Sequence, residues 1–397
     1  MSHKQILFLI LGIDAFVLLF QTTELSISYK ELLIISGDIS FLQLLIKSSL
    51  ELFSHNDFSL RLPMIVLHLL SATLLYAVSK NYILRDRDRL WLVVLFTLLP
   101  GVMSSAIVIN SAGLVIFGLF LFLYFYQNFN HKYLYLLLIA FLFIERDFLY
   151  LFSSLIVYSI YKKENKFLIL NTILFIASIT LYGIDISGTP SGHFLESIGI
   201  YATVFTPVIF IYLFYVLYKK YLLKEFDILW FIASTVLIYS LLISFRQKIA
   251  IEDFAPYTIV ALPLYAQTFI HSYRVRLKVF RKNYRNIFIF TFALLSIHSF
   301  IILLNKELYI FIEKPKKHFA YKMHIAKELS NALKSRDINC VSQKSKLLKR
   351  LEFYDIKNCK ENIVEEIKLS QTTQNSVTVS YAKRLVYSAN VTKLNSK

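Results

Sequence analysis

Apolar stretches long enough, or nearly long enough, to cross a bilayer recur down this chain, and nothing else in it restricts the fold so severely. They cover residues 6–20, 63–83, 90–109, 112–126, 133–144, 148–161, 167–184, 198–218, 228–245, 254–270 and 287–304. About 20 apolar residues in a helix match the hydrocarbon thickness of a bilayer, and inside lipid a helix satisfies its own backbone hydrogen bonds. Hydrophobic residues make up 56% of the 397 and charged ones only 17%, which excludes an ordinary soluble enzyme. The expectation is an α-helical polytopic membrane protein with about eleven transmembrane helices.

Charges between the stretches set the expected topology. The fifth and sixth are joined only by Glu145-Arg146-Asp147, and burying that cluster in one long helix would be costly, so a hairpin is expected there. With the N-terminus cytoplasmic, this parity leaves the richest basic loops inside: Arg85, Arg87 and Arg89; Lys162, Lys163 and Lys166; Lys219, Lys220 and Lys224; and the run from Arg274 to Arg285. The chain is read as an integral protein of the bacterial inner membrane, with an uncleaved first helix because no small-residue cleavage site follows its apolar run. Asp14, within that helix, is expected to face the bundle and hydrogen-bond to a neighbouring helix.

Residues 1–304 form the expected transmembrane domain. Its first outer loop, 21–62, is long for a connector, and its apolar residues Phe41, Leu44, Leu45, Leu50 and Phe53 fall at helical spacing, which predicts an interfacial helix. Residues 305–397 read as a small extracytoplasmic α/β domain, with nineteen Lys or Arg against nine Asp or Glu. Helical patterns cover 319–333 and 346–354, and strand patterns 337–342 and 377–381. The two cysteines, Cys340 and Cys359, both fall here and are expected to pair if the compartment is oxidising.

The motifs exclude several chemistries. There is no G-x-x-x-x-G-K-[ST] and no G-x-G-x-x-G, so a nucleotide engine is excluded, and the nine histidines lack metal-ligand spacing. Asp86-Arg87-Asp88 has the Asp-x-Asp form of a metal-nucleotide site but lies in a basic loop on the cytoplasmic side, where a solvated loop explains it. The outer side instead gathers the acids Glu24, Glu31, Asp38, Asp57, Glu145, Asp147, Asp185, Glu196, Glu252 and Asp253 beside Arg61, Arg146, His193, Arg246 and Lys248. Such a set suits attack by an acceptor hydroxyl on a sugar whose leaving group is a lipid phosphate. A carboxylate takes the acceptor proton and fixed cations hold the charge that grows on the phosphate. No cofactor is called for, and no divalent metal is indicated.

Several segments carry a resemblance. The sequence SHNDFSLRLPMIVLHLLSATLLYAVSK, the helix ending LLPGVMSSAIVINSAG, the later SFRQKIAIEDFAPYTIVALPL and the tail segment Leu348 to Tyr354 together resemble the C-type (GT-C) membrane glycosyltransferases. The nearest branch looks like the aminoarabinose transferases and protein O-mannosyltransferases. That resemblance implies a sugar transferred from a polyprenyl-phosphate donor to an extracytoplasmic lipid, glycan or protein. The family's first outer loop usually carries an Asp-Glu pair; here the matching place reads Lys30-Glu31, so Glu31 takes the role of the acceptor base and Lys30 replaces the Asp. Arg146, Arg246 and Lys248 match basic positions that face the lipid phosphate, and Glu252 and Asp253 complete the expected substrate-binding set. Arg61 is expected to anchor its helix structurally.

The expected partners are thus the lipid-linked donor, the acceptor and membrane lipids; the basic tail is assigned to an anionic membrane or glycan surface and not to nucleic acid. Two alternatives stand beside this reading. One is a transporter or flippase, against which no inverted repeat of hydropathy is visible. The other is an inactive GT-C-like scaffold in surface-glycan assembly, which Lys30 keeps open.

Overall fold

The computed structural model describes residues 2–37, 39–183, 192–342, 344–369 and 376–393, so Asp38 and Asp185 lie outside the described residues. Each of the eleven apolar stretches is helical over most of its length. Among the described residues, five helices are by themselves long and apolar enough to cross a membrane: His3–Glu24, Asp57–Asn81, Ser111–Asn128, Asn165–Tyr182 and Lys278–Leu303.

Three stretches are not single straight helices, and each breaks at a proline. Helices Asp86–Thr97 and Pro100–Ile107 meet at a bend of 62°, and Phe194–Phe205 and Pro207–Leu222 at one of 105°. The third break separates Ile251–Ile259 from Leu262–Val275, whose second residue is Pro263. Proline offers no N–H to the preceding turn and pushes the residue before it out of helical backbone. Thr206, before Pro207, takes φ +67°, which a β-branched residue rarely adopts.

The chain packs as two compact units. The first comprises Met1–Phe16, Ser40–Leu42 and Met64–Ser299 and is helical. Its core is built on large apolar side chains, among them Phe96, Phe120, Phe122, Phe141, Phe152 and Tyr201. Asp14 is paired as expected: its Oδ2 lies 2.7 Å from Nε2 of His68, whose ring stacks on Phe96. Phe8 and Ile13 on the first helix, and Ile287, Phe290 and Ile297 on the last, stay exposed, as faces turned to lipid should. Glu145-Arg146-Asp147 falls in a break between His131–Ile144 and Leu149–Lys162, as the cost of burying its charges requires. Asp86 bonds to Arg89 and Asp88 to Arg274, so both carboxylates of the Asp-x-Asp motif are engaged by guanidinium groups.

The second unit joins Val17–Ile39, Gln43–Pro63 and Phe300–Lys397. Two short strands, β1 (Cys340–Val341) and β2 (Lys357–Asn358), pair in parallel. Strands β3 (Asn362–Glu366), β4 (Val377–Tyr381) and β5 (Arg384–Lys393) form an antiparallel sheet in the order β3-β5-β4. Helix Ala326–Lys334 lays Leu329 and Leu333 onto a core with Val341, Leu351, Ile356, Val377 and Tyr387. The helix predicted over 319–333 starts seven residues late. The carbonyls of Lys322 and Met323, which would accept from its first turns, are occupied by Arg350 and by the N–H of Ser26. In the first loop, helix Phe41–Phe53 buries Leu42, Ile46 and Leu50 and exposes Leu44, Leu52 and Phe53, the two-faced pattern of an interfacial helix.

Cys340 and Cys359 are disulfide-bonded, 19 residues apart. By loop entropy such a crosslink contributes about 3 kcal/mol. Mutating both cysteines to serine is expected to lower the thermal midpoint of the full-length protein and open the tail to limited proteolysis. An unchanged midpoint and cleavage pattern would show that the bond contributes nothing to the fold.

Candidate active site

In the helical unit, the sequence dictates a tight turn at Glu145. Helix His131–Ile144 stops there because Glu145 is extended, with φ −155° and ψ 137°. A single 3-10 turn over Arg146–Phe148 follows. Phe148 anchors it: its ring stacks on Phe141 at 4.2 Å and presses on Gly118, where an added Cβ would meet Phe148 Cζ at 2.4 Å. Only a glycine leaves that space.

The anchored turn holds Asp147 in a buried position. Tyr257 donates its hydroxyl to the Asp147 carbonyl at 2.5 Å, and Ser111 hydrogen-bonds the carboxylate from the start of helix Ser111–Asn128. Arg146 Nε stands 3.6 Å from Asp147 Oδ1 while its side chain remains 48% exposed. Glu252 and Asp253, in the first turn of helix Ile251–Ile259, are close enough for their charges to act on this turn. Three carboxylates, Glu145, Asp147 and Asp253, therefore share the field of one guanidinium, and the exposed Glu252 adds its charge to Asp147 and Asp253.

Their protonation follows from that crowding. Burial, and then the neighbouring charge of Asp147, pushes the Glu145 carboxyl up to about 7. Burial, and then Asp147 again, pushes Asp253 up to about 7, with Glu252 and Glu145 adding to the rise and Arg146 opposing it. Asp147 is raised as well, chiefly by burial. Half-buried carboxyl groups tuned near neutrality are suited to take and return a proton. Among the described residues, no three His, Cys, Asp or Glu converge to hold a metal ion.

The remaining candidates of this unit form a second, more exposed group. Lys248 bonds to Glu196, and Glu196 Oε2 lies 3.1 Å from Nδ1 of His193. Arg246 is exposed on the turn after helix Ile228–Ser244 and has no ion-pair partner among the described residues.

Glu31 belongs to the other unit and is fully buried there. Ser28 caps helix Tyr29–Ser36 by accepting from Glu31 N, and Glu31 Oε2 accepts from Ser28 N at 2.7 Å, a complete capping box. The same Oε2 lies 3.4 Å from an Arg61 nitrogen. Ser28-Tyr29-Lys30-Glu31 carries the S-x-x-E signature of that motif. Lys30 is exposed on the same helix. Arg61 has no exposed surface; it donates to the carbonyls of Leu25 and Ser26 at 3.0 and 3.1 Å and reaches Asp57 at 3.6 Å. It ties these groups together from inside the unit.

The architecture is that of an integral membrane protein with a GT-C-like fold. A solved structure of this kind is ArnT from Cupriavidus metallidurans in the apo state, which aligns with 96% of this chain and 97% of its own at a TM-score of 0.52 and 12% identity. No protein-family model and no curated protein sequence matches the chain.

Two outcomes follow for the mixed unit. Replacing Arg61 with Ala leaves Glu31 and Asp57 buried without their guanidinium and should cost about 3–5 kcal/mol, read as lost folded protein. Glu31→Gln keeps an acceptor for Ser28 N and should be milder; equal tolerance of both would contradict this role. Burial, with help from His318 and Lys306, depresses His324 to about 3, so the folded state resists a proton that the unfolded chain binds near 6.5. The stability this confers is complete above pH 6.5 and is lost as pH falls towards 3. Thermal melts of His324→Gln should therefore show a flatter acid limb than the parent, and identical limbs would exclude it.

Proposed function

We propose that this chain transfers a sugar from a polyprenyl-phosphate donor to an extracytoplasmic acceptor, and that the carboxylate cluster around Arg146 is where it does so. The observation that carries this reading is the set Glu145, Asp147 and Asp253 in the field of one exposed guanidinium, with Glu145 and Asp253 raised towards neutrality and Glu252 adding its charge. The GT-C-like fold supports it. ArnT is an aminoarabinose transferase, and the reading extends only the class of reaction, sugar transfer, to this chain.

In the step envisaged, the acceptor hydroxyl oxygen attacks the anomeric carbon and forms the new C–O bond. The bond from that carbon to the phosphate oxygen breaks and its electron pair leaves with the phosphate. Asp253 or Glu145 takes the hydroxyl proton. Arg146 holds the departing phosphate, a role for which a planar guanidinium with several N–H donors is suited. Asp147 positions Arg146, while Lys248 and Arg246 supply further positive charge towards the donor. Glu31, committed to its helix cap and to Arg61, shapes the mixed unit and is not the base.

The test is mass spectrometry of surface glycans and lipids from cells with and without the protein, repeated for Asp253→Asn and Glu145→Gln at equal protein level. A sugar present only with the parent protein supports the transferase, and at least one variant should lose about 100-fold or more of the transfer rate. A glycan lost on deletion but fully restored by both variants would favour a scaffold, and glycans unchanged by deletion would contradict the transferase. Once a substrate is in hand, kcat/KM should rise with pH through an apparent value near 7, because the base works deprotonated. A profile flat from pH 5.5 to 8.5 would remove these carboxyl groups from the chemistry.

A further inference from the structure

At the other end of helix Ile228–Ser244 from Lys248, roughly 25 Å away by helix rise, the helical unit holds a cavity of ≈ 240 Å³. Lys219 and Lys220 reach it from the last turn of helix Pro207–Leu222, and Gln267, Thr268 and His271 from helix Leu262–Val275, where Gln267 and His271 share a face at i and i+4. Glu225 is the one acid in the lining, and Lys220 already binds it at 2.8 Å. Lys219, Gln267 and His271 make no side-chain hydrogen bond or ion pair among the described residues, although Lys219 and Gln267 are half-buried. A lysine, an amide and an imidazole therefore face one space whose single acid among the described lining residues, Glu225, is bonded to Lys220 and also feels the charges of Lys219 and His271. Exposed Tyr218, Tyr221 and Leu222 follow the same helix end, aromatic and apolar groups suited to the headgroup level of a bilayer.

We infer that this cavity is a binding site for a phosphate group, held by Lys219, Gln267 and His271 while the Lys220–Glu225 pair fixes its rim. Basic pockets between membrane helices take lipid headgroups in this way, and the same chemistry admits a phosphate from water. The inference does not rest on the transfer reading, because the cavity shares no residue with the carboxylate cluster.

The full-length protein, stripped of lipid in a neutral detergent, is titrated with short-chain phosphatidylglycerol, short-chain phosphatidylcholine and inorganic phosphate. Thermal midpoint and native mass spectrometry are the readouts. The site predicts that phosphatidylglycerol raises the midpoint by several degrees above phosphatidylcholine and is retained on the protein. The combined variant Lys219→Gln, His271→Gln should weaken this by at least tenfold, while Lys224→Gln, outside the lining, should not. If inorganic phosphate alone reproduces the rise and the lipid adds nothing, the site stands and is filled from water. If neither phosphatidylglycerol nor inorganic phosphate exceeds the zwitterionic phosphatidylcholine, or the combined variant responds like the parent, the inference is overturned. Should the combined variant fail to fold, Gln267→Ala is measured in its place with the same expectation.

Discussion

Three partly or fully buried carboxylates, Glu145, Asp147 and Asp253, in the field of the exposed Arg146 guanidinium are the constraint on which the rest of the functional account depends. Like charges at such range cannot all ionise cheaply, so protons are retained and two of the groups are poised near neutrality. The surrounding structure holds this unfavourable arrangement in place. Gly118 admits Phe148, Phe148 pins the turn, and Tyr257 and Ser111 hold Asp147 from two other helices. None of these contacts touches a substrate, yet together they fix where a proton can be taken.

The mixed unit solves a related problem by the opposite means. There the charged groups are matched and not crowded by their own kind: Arg61 lies between Glu31, Asp57 and two backbone carbonyls, and Lys327 also reaches Asp57. Tyr354 adds a bond to Asp57 at 2.7 Å and accepts one from Ile27 N at 2.8 Å. A buried ion pair of this sort gives modest net stability, but removing either partner is expensive. It specifies one arrangement of the first loop against the tail within this unit.

What was legible in the sequence follows from the range of the interactions involved. Apolar runs and the disulfide depend on composition and local backbone chemistry, and β4 appears over Val377–Tyr381, the residues its alternation marks. Strands β3 and β5 were passed over: β3 carries three acids in or beside it, and β5 mixes polar and apolar residues along its length. The capping box is legible as Ser28-x-x-Glu31, whereas the bond from Arg61 to Glu31 comes from 30 residues away. By contrast, the Tyr257 bond to Asp147 spans 110 residues and the Tyr354 bond to Asp57 spans 297, and no local pattern announces either. Burial is likewise not written in any local pattern: the sequence names Glu31 as base and Glu252 and Asp253 as substrate-binding, and the structure buries Glu31 fully, half-buries Asp253 and exposes Glu252.

The account's central claim is that a lipid-linked phosphate seats against Arg146 beside Glu145 and Asp253. Electron cryo-microscopy of the protein in lipid nanodiscs with an added polyprenyl phosphate tests this most directly. The account predicts phosphate density within hydrogen-bond reach of the Arg146 guanidinium, with both carboxyl groups lining the same space. Phosphate bound elsewhere on the protein, with Arg146 turned to solvent, would contradict it.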